Sequence, residues 1–392
     1  MRIYLLIFVL ILCVTVSVFP QEEVLPIVRN TIISTGIDFQ VWRIESSVSP
    51  ITQVSFPVTI VMPLKPDFNL SISHTPSVSW WYTGSKLSGL SDTWVQGAYV
   101  FLDDKIMVDL GFGLPTGKTR LTNIEYELSR VLSKRIYQFR TPVMGQGFCA
   151  KAGFAAAYDI SDRVVLGAGV SFIKKTAYHP VTYSYSYKIS EDSTVTTAWD
   201  GLYKPGDELT LNFGFDFKVS ESVKIMFDGI YTSYGKDQRD GNEVFGAGKR
   251  LDFNLGFFWR IDDDRYLWSH FIHRQSGKNE MLQGLYFQEE AENSNGAQNE
   301  LYINYKAIPF KDGGLFINAE TRVYSRNRLK WGGAQVFGGG LAVNYGFTQT
   351  ASFNAHIKYL SGALKGLKTA TGIIESVAMD GFELGIGFSF LL

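Results

Sequence analysis

The chain has 392 residues, with 37 Lys and Arg against 38 Asp and Glu for a formal net charge of −1, so it carries neither a nucleic-acid footprint nor a polyacidic tail. Its 20 Tyr, 29 Phe, 8 Trp and 38 Gly are high for a soluble domain of this size, yet beyond the N-terminus no segment approaches the roughly 20 apolar residues of a helical span. Two cysteines, Cys13 and Cys149, leave no disulfide framework and no cysteine metal cluster.

Met1-Arg2, an apolar run over 3–18 and then Phe19-Pro20-Gln21-Glu22-Glu23 read as the charged start, hydrophobic core and polar mature end of an export signal. Residues 1–20 are expected to be cleaved, with Thr15 and Ser17 as the small residues near the cut. Cys13 follows Leu12, not the small residue of a lipoprotein signal. The next segment, 21–52, is expected to supply a first strand near 37–44 or a small plug, and residues 53–392 the body of the fold.

That body alternates. Over 148–158, Phe148, Ala150, Ala152, Phe154, Ala156 and Tyr158 share one parity and Lys151 takes the other. Over 209–219, Leu209, Leu211, Phe213, Phe215, Phe217 and Val219 oppose Thr210, Asn212, Asp216 and Lys218. The pattern recurs at 251–261, 315–323, 341–347 and 351–359, and ends at the terminus with Phe382, Leu384, Ile386, Phe388, Phe390 and Leu392 on one face. A period of two makes each a ribbon with one side for hydrocarbon and one for water or a polar interior, and the lengths suit tilted membrane strands of about 9–11 residues. A soluble sandwich would place more Lys and Glu on its outer parity than the Gly, Asn and single charges found here.

Connections alternate in length. Short turns fall at 64–67, 102–105, 161–162, 220–222, 262–264, 311–313 and 348–350, each rich in turn residues. Longer linkers lie at 80–90, 115–146, 177–206, 236–247, 275–298, 326–335 and 362–377. This is the habit of outer-membrane barrels, with short periplasmic turns and long outside loops. The expected fold is therefore an all-β, transmembrane, antiparallel up-and-down barrel of about 14–16 strands. Trp80, Trp81, Tyr82, Tyr183, Tyr185, Tyr187, Tyr231, Tyr234, Trp259 and Trp268 lie near inferred strand ends, where aromatic rings settle at headgroup level.

Gly113-Leu-Pro-Thr-Gly-Lys-Thr119 looks like a phosphate-cradling loop, but three residues separate Gly113 from the Gly-Lys-Thr and five separate Gly111 from it, where four are required. Pro115 and Gly117 are better read as ending a strand and opening a long loop. In that loop Thr122-Asn-Ile-Glu125 has capping-box spacing, and Ile124, Leu128, Val131 and Leu132 then fall on one side of a helix. That side is a candidate capture groove for a ligand at the mouth, or a face that packs on the rim or plugs the lumen.

Ionisable groups on a lipid face cost on the order of 2–4 kcal/mol for Arg or Lys at midplane, so phase assigns Lys151, Asp216, Asp252, Arg260, Lys306, Glu320, Arg322, His356, Lys358 and Glu383 to the lumen. The mixed signs point to cross-lumen pairs or a pore without strong ion preference. His270 and His273, three apart, face opposite ways on a strand and make a poor metal pair. No Ser-His-Asp spacing points to a hydrolase, and no enzyme activity, cofactor or metal is expected. Glu289, Glu290 and Glu292 beside Asn293-Ser-Asn-Gly296 read as a solvated outer tip.

Gly89-Leu-Ser-Asp92, the stretch Val108-Asp-Leu-Gly-Phe-Gly-Leu-Pro-Thr-Gly-Lys-Thr119 and Gly145-Gln-Gly147 together resemble the outer-membrane transporter family associated with the meta-pathway of phenol degradation. More distantly the chain is similar to the long-chain fatty-acid transporters, although residues 21–52 lack their Asn-Pro-Ala start and are short for their hatch. The resemblance implies a barrel that takes up small hydrophobic or aromatic compounds. The expected partners are outer-membrane lipid, a small-molecule solute and, through the C-terminal strand, the barrel-assembly machinery, with no nucleic acid. The competing expectation is a structural or adhesive barrel with a blocked lumen.

Overall fold

Period-two ribbons with one greasy face can satisfy their backbone in a bilayer only by pairing on both edges, and a sheet does that by closing. The computed structural model describes residues 30–392 apart from 46, 48, 83–84, 182, 191–192, 285, 329–331 and 370–371. The expected export signal lies outside the described residues. Sixteen antiparallel strands form a closed ring. They are β1 (Ile32–Ile44), β2 (Ile51–Ser55 continued by Val58–Lys65), β3 (Phe68–His74 and Ser77–Trp80), β4 (Lys86–Gly89 and Thr93–Phe101), β5 (Ile106–Leu114), β6 (Cys149–Ser161), β7 (Val164–Lys175) and β8 (Glu208–Lys218). The ring continues through β9 (Val223–Tyr234), β10 (Arg250–Arg260), β11 (Tyr266–Ser276), β12 (Gln298–Phe310), β13 (Gly313–Tyr324), β14 (Gly333–Thr348), β15 (Ala351–Thr369) and β16 (Gly372–Leu391). Closure is the pairing of β1 with β16, from Ile32↔Leu391 to Ile44↔Met379.

The seven short turns join neighbouring strands at one end of the barrel, where both ends of the described chain also lie, since Asn30 N donates to Leu392 O at 2.6 Å. The long connections gather at the other end. One of them differs from the sequence reading: 362–377 is no loop, because β15 and β16 stay paired from Ala351↔Phe390 to Thr369↔Gly372. That stretch contains no Pro, Asn or Asp to break a ladder, and its Thr, Ile and Val favour extended backbone. The linkers 236–247 and 275–298 carry short strands of their own, which join Tyr203–Lys204 in a five-stranded outer sheet. Tyr183–Ser190 and Ser193–Trp199 form a separate hairpin.

Three adjacent strands break at one level, at Phe56-Pro57 in β2, Thr75-Pro76 in β3 and Leu90–Asp92 in β4. Proline has no N–H for the ladder. The wall stays bridged there by other main-chain bonds, Gly36 N to Pro57 O at 3.2 Å, Phe56 N to Pro76 O at 2.9 Å and Ser91 N to Thr75 O at 3.3 Å.

Parity sorts the two faces. Leu211, Phe213, Leu255, Ile317, Phe337, Leu341, Ile357, Leu384 and Ile386 are exposed on the outer surface, the apolar belt of a membrane barrel. The buried core, with Trp42, Leu128, Leu132, Tyr137, Val336 and Leu360 among its members, is inside the ring rather than between two sheets. Trp268 and Tyr234, expected at the headgroup girdle, sit on the inward parity instead, opposite Phe258 and Glu208. Being near a strand end does not decide which side of the wall a ring is on.

This phase makes a direct test. Leu255→Arg places a cation in hydrocarbon and is expected to cost about 2–4 kcal/mol in urea unfolding from lipid vesicles, whereas Asn254→Arg, one residue away on the lumen face, is expected to cost less than half of that.

Candidate functional site

The loop 115–148 turns into the barrel. Its base is a clasp made by the motifs that carry the family resemblance. The Asp92 carboxylate, at the break in β4, accepts the N–H of Gly117 at 3.0 Å and of Gln146 at 2.6 Å, while Asp92 N donates to Met144 O at 3.0 Å and Lys118 N to Leu90 O at 3.2 Å. Thr116 Oγ1 accepts from Thr93 N and donates to Ser91 O. Gly117 and Gly145 are required by contact: a Cβ on Gly117 would stand 2.5 Å from Met144 O and 2.7 Å from Gly145 Cα. The phosphate-loop lookalike is thus a stitched seam.

From the clasp the loop enters helix α1 (Asn123–Leu132), whose capping box is formed by Thr122 and Glu125 in both directions. Lys118 Nζ reaches the Glu125 carboxylate at 2.5 Å. Burial pushes this carboxyl up, but the Lys118 and Thr122 donors outweigh burial and hold it below its ordinary value. Leu128, Val131 and Leu132 are buried in the core, and Ile124 is 51 % exposed. The greater part of the face considered as a capture groove is therefore packed away, and only Ile124 remains open to a ligand.

After α1 the chain becomes a strap inside the lumen, with a 3₁₀ turn at Arg135–Tyr137 and Gln138 in the left-handed region at φ 49°. Irregular backbone at this depth needs partners from the wall, and the wall supplies them one by one. Arg322 Nη1 donates to Ile136 O at 2.6 Å, Trp42 Nε1 to Tyr137 O at 3.0 Å and Gln40 Nε2 to Gln138 O at 3.0 Å. Gln40 Oε1 also accepts from Arg140 N at 2.8 Å. Gln53 does the same at Thr141, donating to its O at 2.9 Å and accepting from its N at 2.8 Å. Each glutamine acts as a piece of strand, offering one donor and one acceptor to the main chain of the strap. Tyr137 packs on Trp42 with ring centroids 5.4 Å apart.

Behind the strap lies a buried ionic network. Arg322, fully buried, pairs with Glu320, and Lys358 Nζ stands 3.0 Å from Glu320 and 3.7 Å from Glu383. Arg322 reaches Glu383 at 3.8 Å, and Gln40 Nε2 donates to Glu383 at 3.3 Å. Glu300 accepts from the Tyr324 hydroxyl at 2.6 Å and the Tyr302 hydroxyl at 2.8 Å and pairs with Arg135 of the strap at 3.4 Å. His356 stands over Gly385 beside Asp38.

Across the lumen the walls differ. On β6, β7 and β8 the inward positions include Gly153, Ala155, Ala157, Gly167, Gly169, Ser171 and Gly214. Lys151 pairs with Asp109 at 2.9 Å, Asp216 with Lys224 at 2.5 Å, and Asp252 with Arg274 at 2.9 Å and Arg250 at 3.3 Å. Arg260 Nη2 donates to Glu221 O at 2.7 Å, and Lys306 lies opposite Phe316. The ten inward charges named from phase consequently divide. Glu320, Arg322, Lys358, Glu383 and His356 gather behind the strap, and Lys151, Asp216, Asp252, Arg260 and Lys306 are spread over β6, β8, β10 and β12 outside that cluster. His270 faces inward, and His273 faces outward with Nδ1 2.9 Å from Asn299 Oδ1.

Gln40, Trp42, Gln53 and Glu300 were not singled out by sequence, and Asp92 only as the end of the Gly89-Leu-Ser-Asp92 motif. The signal for the glutamines was present in part: an amide side chain in mid-strand on the polar parity has more hydrogen-bonding capacity than a wall position uses.

No protein-family model and no curated protein matches this chain. Solved structures do. It is similar to the toluene transporter TbuX of Ralstonia pickettii, at 10 % identity over 93 % of this chain and 90 % of that one with TM-score 0.40. It is similar to a FadL homologue of Pseudomonas aeruginosa, at 10 % identity over 92 % and 90 % with TM-score 0.44, and to an outer-membrane channel of Pseudomonas putida F1, at 10 % over 96 % and 100 % with TM-score 0.36. The barrel assignment stands on the closed pairing ring, not on these likenesses.

Two outcomes follow from the loop. Arg322→Met leaves Glu320 and Glu383 sharing Lys358 and frees Ile136 O, so it is expected to cost about 3–5 kcal/mol in urea unfolding and to expose the strap to protease in the folded barrel. The depressed Glu125 carboxyl stabilises the loop fully above its ordinary value of 4.5, and that contribution is lost as pH falls through the lower folded value. Limited proteolysis of the loop is therefore expected to accelerate below about pH 4 in the parent, and to be fast at every pH in Glu125→Gln.

Proposed function

We propose that this chain is a passive channel of a Gram-negative outer membrane for small hydrophobic or amphipathic solutes. The observation that supports it best is the uneven filling of the lumen. The strap and the side chains that hold it occupy the side of β12–β16 with β1 and β2, while on the opposite wall of β6, β7 and β8 the small inward residues Gly153, Ala155, Ala157, Gly167 and Gly169 stand between Lys151, Thr210, Asn212 and Asp216. Small inward residues also occur on the strap side, at Gly338, Gly381 and Gly385, but there the side chains of Leu360, Trp42 and His356 lie over them, whereas no side chain covers Gly167 on the opposite wall. Diffusion along that wall requires no catalytic group and no energy-coupling domain.

In this reading a solute first meets the outer loops, where Ile124 and Tyr126 of α1 are exposed, then passes the mixed charges at Lys151, Asp252 and Asp216 and leaves at the short-turn end. Because those charges are paired with neighbours on the wall, they present dipoles rather than a net field and favour neither cations nor anions strongly. The lipid belt and the terminal strand β16 give the chain its remaining partners, membrane lipid and the barrel-assembly machinery.

The refolded full chain is expected to conduct in planar bilayers and to pass small neutral solutes in a liposome-swelling assay. Replacing Ala155 and Gly169 with Trp is expected to reduce both by at least several-fold, while the same change at Ala342, on the inward parity of β14, has a smaller effect. A barrel sealed by its loop gives neither current nor swelling, and that result would end the proposal.

A further inference from the structure

The inward face of β10–β13 carries a group of rings that neither the strap nor the ionic network uses. Phe258 lies opposite Trp268, Arg260 opposite Tyr266, and Lys306 opposite Phe316, so all six side chains share the lumen side of the wall. Phe258 and Tyr266 have ring centroids 5.7 Å apart, and Tyr266 and Phe316 6.1 Å. Trp268 is 36 % exposed within the lumen. The strap's bonds to this wall fall elsewhere, at Glu300, Tyr302 and Arg322. An aromatic shelf facing enclosed water is costly unless something apolar covers it.

Lys306 stands among these rings. Its stem runs over Gly314, with Cε 2.5 Å from where a Cβ on that glycine would be. Other inward lysines are paired, Lys151 with Asp109, Lys175 with Glu208, Lys224 with Asp216 and Lys358 with Glu320. Among the described residues Lys306 has no hydrogen-bond or ion-pair partner. Arg260, two residues along β10 from Phe258, adds a second cation at the same level and spends one donor on a main-chain oxygen. An apolar surface of tilted and edge-on rings with an uncompensated ammonium at its edge is complementary to a ring that bears a carboxylate.

We propose that this shelf is a binding subsite for aromatic carboxylates, the ring lying on Trp268, Phe258 and Tyr266 and the carboxylate on Lys306. The inference rests on the channel reading and names the class of amphipathic solute that the channel retains.

The test uses the full chain refolded in detergent, with sodium benzoate as probe and tryptophan emission as the readout, so binding is scored without flux. Benzoate is expected to change the emission saturably, and Trp268→Leu to remove that change. Lys306→Gln is expected to weaken benzoate roughly tenfold, the size of one charge-assisted hydrogen bond, with toluene binding unchanged, and Lys306→Arg to restore benzoate. Because Lys306 has no partner, Lys306→Gln is expected to keep the parent's heat-dependent gel shift, which confirms the fold. Equal benzoate affinity in Lys306→Gln and parent, or benzylammonium binding as tightly as benzoate, would overturn the subsite. Absence of conductance in the parent overturns the channel and leaves this binding result standing by itself.

Discussion

Every main-chain donor and acceptor held at membrane depth must find its partner in the protein, because hydrocarbon offers none. That constraint closes the ring through β1 and β16. The loop that enters the lumen meets the same requirement through burial against the wall rather than through lipid, and there Gln40, Gln53, Trp42 and Arg322 supply the bonds that a neighbouring strand would have supplied. An irregular segment can lie inside this barrel only because the wall was built to receive it. The same requirement explains why the β2–β4 breaks are harmless: Pro57 and Pro76 remove N–H donors, and their own carbonyls accept bonds across the gap.

Placing charges behind the strap has a consequence for its stiffness. Arg322, Glu320, Lys358 and Glu383 compensate one another in a region with little water, where removing one partner costs far more than the net worth of the set. The network contributes little to overall stability compared with a packed apolar core, but it makes one arrangement of the strap much better than its neighbours. Arg322 links the two levels, since its guanidinium both completes the ionic set and holds Ile136 O. The strap is in this way tied to one position inside the ring.

Strand identity and facing were legible because a period of two is written in every other side chain. Over 209–219 and 382–392 the apolar parity alone predicts which residues meet lipid. The strand count became definite only with Ile32–Ile44, whose partner is the far end of the chain; closure is a non-local fact that no window of sequence contains. The stretch 362–377 shows the opposite limit, since an extended hairpin that projects beyond the belt loses the lipid-facing alternation while keeping its ladder. For the site, the capping box of α1 was readable from Thr122 and Glu125 alone, because both bonds are local. The destinations of Gln40 and Gln53, 98 and 88 residues away in sequence at the strap, were not.

The motifs that looked most like chemistry turn out to do mechanical work. Pro115, Gly117 and Gly145 resemble parts of an anion cradle because both structures need main-chain N–H groups gathered without side chains in the way. Here the anion is internal: Asp92 takes the place that a phosphate would hold, with Gly117 N and Gln146 N aimed at it. A carboxylate fixed this way joins the start and the end of a 34-residue excursion from β5 to β6 to the broken edge of β4. The loop therefore leaves and re-enters the wall at one anchored point, with Gly117 N and Gln146 N on the same carboxylate. The strap's further contacts run round the wall from Gln53 on β2 through Gln40 and Trp42 on β1 to Arg322 on β13, so its course across the lumen is fixed both beside the clasp and on the far wall.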